Sequence, residues 1–329
     1  MVATLNINDG VFDPDRPIVD PHHHLWSGGD RWGDYQLEHF WADTGDGHRV
    51  LKSVYVECGT AYLKGVDKRL RSLGESEFVA KVAEQSRNRP EATTIAGLVG
   101  CVDLRLPDLE DLLDQHVEIS TGLLRGIRNS GALDTSGAEL HIPWRAPPGL
   151  YQDADFRRGL KILAARGLSF DAWHFHHQCD EFLDLVRAVP DLVFVLDHFS
   201  TPLGIGPYRD QRFEVFERWK LDMKVLAECP NVYAKLGGLA MPDNGFGWET
   251  REQNASTDEF IDAQAPYYHH MIECFGPSRC MFESNFPVDR LSISYGSLWN
   301  AFKKMSQVYS EAEKQALFSK TATDVYSLE

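Results

Sequence analysis

Apolar and polar positions along the chain alternate between two patterns: short apolar runs, and longer segments in which apolar residues recur at intervals of three and four. The first pattern suits strands buried on both faces, the second helices with one buried stripe. Eight runs read as strands, at 18–25, 51–58, 94–101, 122–128, 168–173, 192–198, 232–236 and 279–283. Helices are expected over 77–88, 108–117, 155–165, 181–188, 213–229 and 258–275, with two more near 296–307 and 310–319 closing the chain. Eight strand–helix repeats predict an α/β protein with a parallel sheet and, at 329 residues, a single closed (β/α)8 TIM barrel. An open doubly wound sheet loses ground because no G-x-G-x-x-G follows the first strand. Irregular stretches at 27–49, 131–150, 200–212 and 240–257 all follow strands, so they become long loops at the C-terminal face. One domain over 1–329 is expected, with the barrel at about 17–320 and an extension at 1–16.

Composition narrows the function classes. Apolar residues at 43% can fill a large core, and no run approaches the roughly 18 apolar residues of a membrane-spanning helix. With 49 acidic against 33 basic residues, the net charge of −16 repels phosphate backbones and anionic lipid surfaces. A small molecule is therefore the expected partner, not nucleic acid or membrane, and nothing argues against a homo-oligomer. Six scattered cysteines form no C-x-x-C pair and read as reduced. The start of the chain, MVATLNINDGVFDPDRP, has neither a basic nor an apolar stretch of a secretory leader, which points to the cytoplasm.

The chemistry begins in the first strand. In Ile18-Val19-Asp20-Pro21-His22-His23-His24-Leu25-Trp26, strict alternation places Asp20, His22 and His24 on one face and His23 on the other. Residues two apart on a strand lie roughly 6.5–7 Å apart, from which two imidazoles converge on one metal ion at about 2.1 Å. A divalent metal, zinc above all, is the expected cofactor. In a metal-free variant the same pair would hydrogen-bond a substrate carbonyl.

From these residues onward the chain resembles the TIM-barrel hydrolases of the amidohydrolase superfamily, in the amidohydrolase-2 group of lactonases. The resemblance runs along nearly the whole chain, through VDPHHHLW, IAGLVGCVDL, Gly126-Ile127-Arg128, GLSFD, Val195-Leu196-Asp197-His198, NVYAKLGGL and FGPSRCMFESNFPV. It implies further ligand or acid–base histidines after strands five and six. His198 fits the latter; of His174, His176 and His177, His176 is the choice for a metal ligand, while His269 and His270 read as packing residues on a helix. The superfamily usually carries an aspartate on strand eight as metal ligand and base, where this chain has Glu283-Ser284-Asn285-Phe286-Pro287. Asn285 cannot act as a base. Glu283, two residues earlier on the same face, is expected to supply the lost carboxylate and activate water, with His198 or Lys235 stabilising the oxyanion. A buried pairing of Glu283 with Arg128 or Lys235 is its structural alternative, and Glu57 and Asp289 are further carboxylate candidates.

Arg125, Arg128 and Lys235 are expected near strand ends, where they would bind an anionic substrate. Glu57, Trp26 and Trp173 complete the expected substrate wall, with Trp32, Tyr55, Trp144, Phe246 and Trp248 as further aromatics. The leading expectation is an enzyme that opens a small anionic or aromatic lactone, or a related cyclic ester or amide. No G-x-S-x-G elbow offers a serine nucleophile. A non-oxidative, metal-dependent decarboxylase of an aromatic or unsaturated acid and a non-catalytic ligand-binding barrel are the alternatives.

Overall fold

The computed structural model describes residues 10–28, 33–136, 139–142 and 145–328. Eight strands, β1 (Ile18–His23), β2 (Val50–Val56), β3 (Thr94–Gly100), β4 (Leu124–Arg128), β5 (Ser169–Ala172), β6 (Phe194–Leu196), β7 (Val232–Leu236) and β8 (Cys280–Phe282), pair in parallel, each with the next in sequence. Beyond β8 the chain returns to β1, where Asn285 N–H donates to His22 O at 3.0 Å and His24 N–H to Phe286 O at 2.8 Å. These two bonds close the barrel at its active end.

Helices α1 (Leu37–Thr44), α2 (Leu73–Arg87), α3 (Leu109–Ile119), α4 (Ala154–Ala165), α5 (Cys179–Ala188), α6 (Arg212–Leu226), α7 (Thr257–Phe275) and α8 (Tyr295–Met305) follow the strands in turn. Short α9 (Glu311–Gln315) and α10 (Thr321–Val325) end the described chain. The barrel and helix layer match the expectation, with one addition. Helix α1 lies inside 27–49, which reads as loop in the sequence because its eight residues show too few turns for a periodic stripe. Its Phe40 nevertheless stacks on His23, with ring centroids 4.1 Å apart.

Packing divides by strand face. Outward residues such as Ile18, Phe170, Phe194 and Phe282 join the large core beneath the helices. Inward Val19, Val54, Val56, Val99, Val195 and Met281 form a second cluster that α10 and the tail stopper from below with Ala322, Tyr326 and Leu328. Barrel interiors are packed rather than hollow, so chemistry is confined to the opposite end. At the other terminus, Phe12 N–H donates to Asn300 Oδ1 at 2.8 Å and Lys303 Nζ to Asp13 O at 2.7 Å, pinning the leading segment on α8. All six cysteines are unpaired. Among the described residues, no helix is long and apolar enough to cross a membrane.

Candidate active site

Strand alternation delivers the site, except where a bulge breaks it. Pairing of β1 with β2 shifts register between Asp20 and His23. His22 and His24 therefore still face inward, but Asp20 turns out of the barrel, where it accepts from Ser284 N–H at 2.9 Å and from Tyr295 OH of α8 at 3.0 Å. Burial raises its pKa to about 6, against the pull of these donors. Asp20 is thus a structural carboxylate holding β8 and α8 to β1.

The inward residues build a fully buried ionic lattice. Lys235 Nζ lies 2.6 Å from Asp171 Oδ2 and 3.2 Å from Asp197 Oδ1, and Tyr326 OH donates to the same Asp171 oxygen at 2.6 Å. Arg128 binds Glu57 Oε1 through Nε at 2.8 Å and approaches Asp197 Oδ2 through Nη1 at 3.4 Å. Burial opposes the charge on Lys235, yet the facing carboxylates outweigh it and hold its pKa above the usual value.

Above the lattice, Glu283 bridges two histidines, its Oε2 2.8 Å from His22 Nδ1 and its Oε1 2.7 Å from His198 Nδ1. Burial pushes the Glu283 carboxyl up, opposed chiefly by His198. For His198, burial alone would lower the pKa, but the Glu283 charge and hydrogen bond prevail and raise it. Two glycines leave room for this pair. A Cβ at Gly237 would lie 2.4 Å from Glu283 Cγ, and one at Gly238, whose φ is +79°, would lie 2.4 Å from His198 Nδ1.

Glu283 is completely buried, whereas His198 reaches the wall of a cavity of about 370 Å³ that it shares with His24, Trp26, Arg128, Trp173 and Asn285. Glu283 is therefore sealed from the cavity, and the His198 imidazole, hydrogen-bonded to Glu283, is the member of the pair that lines it. Asn285 donates through Nδ2 to Asp289 Oδ1 at 2.9 Å, which leaves its carbonyl oxygen as the free acceptor. Burial raises the Asp289 pKa to about 7.

His24 Nδ1 sits 2.7 Å from Val56 O and must carry the hydrogen, leaving Nε2 bare in the neutral ring. His22 Nδ1 stands 2.8 Å from Glu283 Oε2 and 3.3 Å from Lys235 Nζ, and its Nε2 stands 3.4 Å from Arg128 Nη1 and 3.3 Å from His24 Nε2. Burial keeps both pKa values well below the ordinary one, so neither ring brings a second proton. Two imidazole nitrogens at that separation match neighbouring ligands of one ion. Tetrahedral ligands at about 2.1 Å from a zinc ion stand about 3.4 Å apart, so a divalent cation fits. His22, Asp197 and His198 also bring ligand atoms within 4.8 Å of one another. There Lys235 Nζ stands 3.3 Å from His22 Nδ1 and 3.2 Å from Asp197 Oδ1, and at the Nε2 pair Arg128 Nη1 stands 3.4 Å from His22, so either mount has a protein cation beside it.

Other expected residues fall elsewhere. Arg125 lies near the start of β4, at the opposite end from the cavity, and donates to Gly122 O at 2.6 Å; the strand carries its two arginines three residues apart, and only Arg128 reaches the mouth. His176 follows β5 in a short helical turn, where its Nδ1 accepts from Leu203 N–H at 3.2 Å and its ring meets Tyr208, outside the group around His22. Lys235 is buried beneath the floor, and Glu57 pairs with Arg128 beside a neighbouring cavity. His269 and His270 pack against Tyr309 and Lys220 O. Trp32 and Trp144 lie outside the described residues.

Sequence reasoning misses Asp171 and Asp197 as members of the site, although each ends a run that stands out and alternation from Trp173 and from Val195 turns both inward. It also misses Ile142 and Met241 of the cavity wall, which lie in loops without periodicity.

A closed barrel with paired histidines on its first strand and a carboxylate–histidine pair at the mouth defines a hydrolase of the amidohydrolase type. Residues 19–328 match the Amidohydro_2 family, described as Amidohydrolase, and the chain belongs to it. It is 35% identical to the uncharacterized protein y4mH of Sinorhizobium fredii over 95% of this chain and 99% of that one. It is 27% identical to an L-fucono-1,5-lactonase of Burkholderia multivorans, over 94% of this chain and 96% of that one. Among solved structures, an amidohydrolase from Burkholderia multivorans with bound Zn superposes with a TM-score of 0.73 at 23% identity, covering 95% of this chain and 99% of that one.

Proposed function

We propose that the protein hydrolyses a lactone by direct attack of water at the barrel mouth. The observation that carries this reading is the Glu283–His198 pair, whose imidazole opens onto the cavity while its carboxylate is sealed beneath. Relatives named for lactone hydrolysis over nearly the whole chain support the reaction class. A lactone needs water activation, oxyanion stabilisation and protonation of a leaving alkoxide, but no covalent enzyme intermediate.

His198, with Nδ1–H held by Glu283, takes a proton at Nε2 from the attacking water. Asn285 Oδ1, its amide turned by Asp289, accepts from that same water and fixes its approach. As the ring C–O bond breaks, the imidazolium returns its proton to the leaving oxygen, giving a hydroxy acid. Glu283 steadies the positive ring in between, the role a buried carboxylate plays in other hydrolytic dyads. His22 and His24 would hold a divalent cation, with zinc the best match to two imidazoles and to the relative that binds it; when bound, it polarises the lactone carbonyl. Arg128, 3.4 Å from His22 Nε2, adds positive potential on that side.

The test is proton release on a panel of five- and six-membered lactones, run with and without chelator. Opening of at least one lactone is expected, and failure of metal-loaded protein on every member would refute the reading.

A further inference from the structure

Resting on the lactonase reading, the geometry points to a substrate whose lactone ring carries an aromatic or alkyl body, rather than the hydroxyls of a sugar acid. Polar groups of the cavity gather at its floor, where His24, Arg128, His198 and Asn285 surround the reacting bond. The described walls above are Trp26, Trp173, Ile142, Met241 and Val288, with Ser27, Cys58, Gly59 and Thr60 forming a more polar edge. Trp173 and Ile142 belong to one apolar cluster with Phe175, Leu203 and Leu140, so the loop carrying Ile142 is packed down as part of the wall. Asp243 fastens that loop from outside, accepting from His141 N–H at 2.7 Å and Ile142 N–H at 3.2 Å.

The donors of the two indoles, His24 and Arg128 are already engaged. Trp26 Nε1–H donates to Gly33 O at 2.8 Å and Trp173 Nε1–H to Thr201 Oγ1 at 3.0 Å, so both indoles offer the cavity carbon faces. His24 Nδ1–H is held by Val56 O, and Arg128 turns its guanidinium to Glu57 and Asp197. Ser27 Oγ at the rim accepts from Gln36 Nε2 at 3.1 Å, which leaves its O–H and the Thr60 hydroxyl on one edge of the cavity. A polyol with its carbonyl on the floor would press most of its hydroxyls against indole and thioether, stripped of water, with the hydroxyls of Ser27 and Thr60 on one edge to meet the rest. An aryl or alkyl group in the same place exchanges water for apolar contact. A cavity of about 370 Å³ falls in the range of small-molecule sites, roughly 300–1,000 Å³, and accommodates such a body beside the lactone ring. Each hydroxyl left unpaired is worth about a factor of ten against the polyol. A carboxylate on the substrate fares no better, since Arg128 is engaged, Lys235 is sealed below and Arg125 lies at the other end.

The deciding measurement compares kcat/KM for dihydrocoumarin and δ-nonalactone with that for L-fucono-1,5-lactone and D-glucono-1,5-lactone. At least a tenfold preference for the first pair is expected; equal or better opening of the sugar lactones would overturn the substrate class while leaving the lactonase reading intact. Should no lactone be opened, isothermal calorimetry with 3,4-dihydroquinolin-2-one and gluconolactam still decides. Tighter binding of the aromatic lactam by tenfold supports the wall, and equal or reversed affinity overturns it. Ile142→Asn, on a loop outside the barrel, should reduce the preference several-fold with an unchanged melting temperature; an unchanged preference would also count against the wall.

Discussion

Replacing Glu283 by glutamine keeps the shape of the side chain and removes the charge that faces two imidazoles. The carboxylate lies 2.7 Å from His198 Nδ1 and 2.8 Å from His22 Nδ1. If the amide presents its NH2 to His198 Nδ1, donor meets donor, the ring proton moves to Nε2 and the nitrogen facing the cavity can no longer accept from water. If it presents its oxygen, the imidazolium formed in the reaction loses the negative charge beside it. Either way kcat falls. General acid–base groups contribute about 10²–10⁴-fold, and mis-setting a tautomer through the carboxylate costs at the upper end of that range, so a loss of about 10³–10⁴ in kcat is expected with KM changed by only a few-fold. The assay is steady-state lactone opening followed by proton release, with circular dichroism to confirm the fold. In parallel, Asn285→Ala, which removes an acceptor but no proton carrier, should lose about tenfold. If Glu283→Gln retains more than about a tenth of wild-type kcat, or if Asn285→Ala loses more than it does, the assignment of His198 and Glu283 is refuted.

Elemental analysis of protein purified without added metal should find about one divalent ion per chain, and His24→Ala should bring this near zero; equal content in both would move the histidine pair from ligand to hydrogen-bonding partner. Lys235→Met leaves Asp171 and Asp197 buried without their ammonium, and should cost about 3–5 kcal/mol in urea unfolding, since breaking one side of a buried ion pair strands the other. A loss below about 1 kcal/mol would show that water or relaxation replaces the lysine. His116 is buried, with Nδ1 2.7 Å from Ser76 Oγ, and burial lowers its pKa from 6.5 to about 4. Between those values the unfolded chain binds a proton that the folded chain refuses, so stability falls as pH drops from about 6.5 to 4, by up to about 3 kcal/mol from this residue. His116→Gln should flatten that part of the stability–pH curve, and an unaltered slope would show that His116 is charged in the fold.

Much of the molecule was legible in the residue pattern because barrel strands are short, apolar and separated by amphipathic helices. Period and order therefore carried the fold. The same alternation set His22, His24, Arg128, Glu283 and Asn285 inward, since a side chain two residues from an inward neighbour shares its face wherever register is regular. His198, next to inward Asp197, reaches the cavity because the backbone turns to a φ of +52° just after β6. Where register broke, alternation misled. The bulge at Pro21 turned Asp20 toward Tyr295, a contact that depends on a helix 275 residues away. Helix α1 was hidden because it is held by tertiary packing on His23 rather than by a strong stripe of its own.

Sequence alone determined the barrel, the face on which chemistry sits and the histidine pair that marks it. Only the tertiary structure decided which charged groups meet which. It took Arg125 to the far end, locked Lys235 between Asp171 and Asp197, and sealed Glu283 behind His198 so that the imidazole, not the carboxylate, faces the cavity. The physical reason is that alternation specifies a face, while depth along the barrel axis and ionic partners depend on strand stagger and on loops from distant parts of the chain, which no local period encodes.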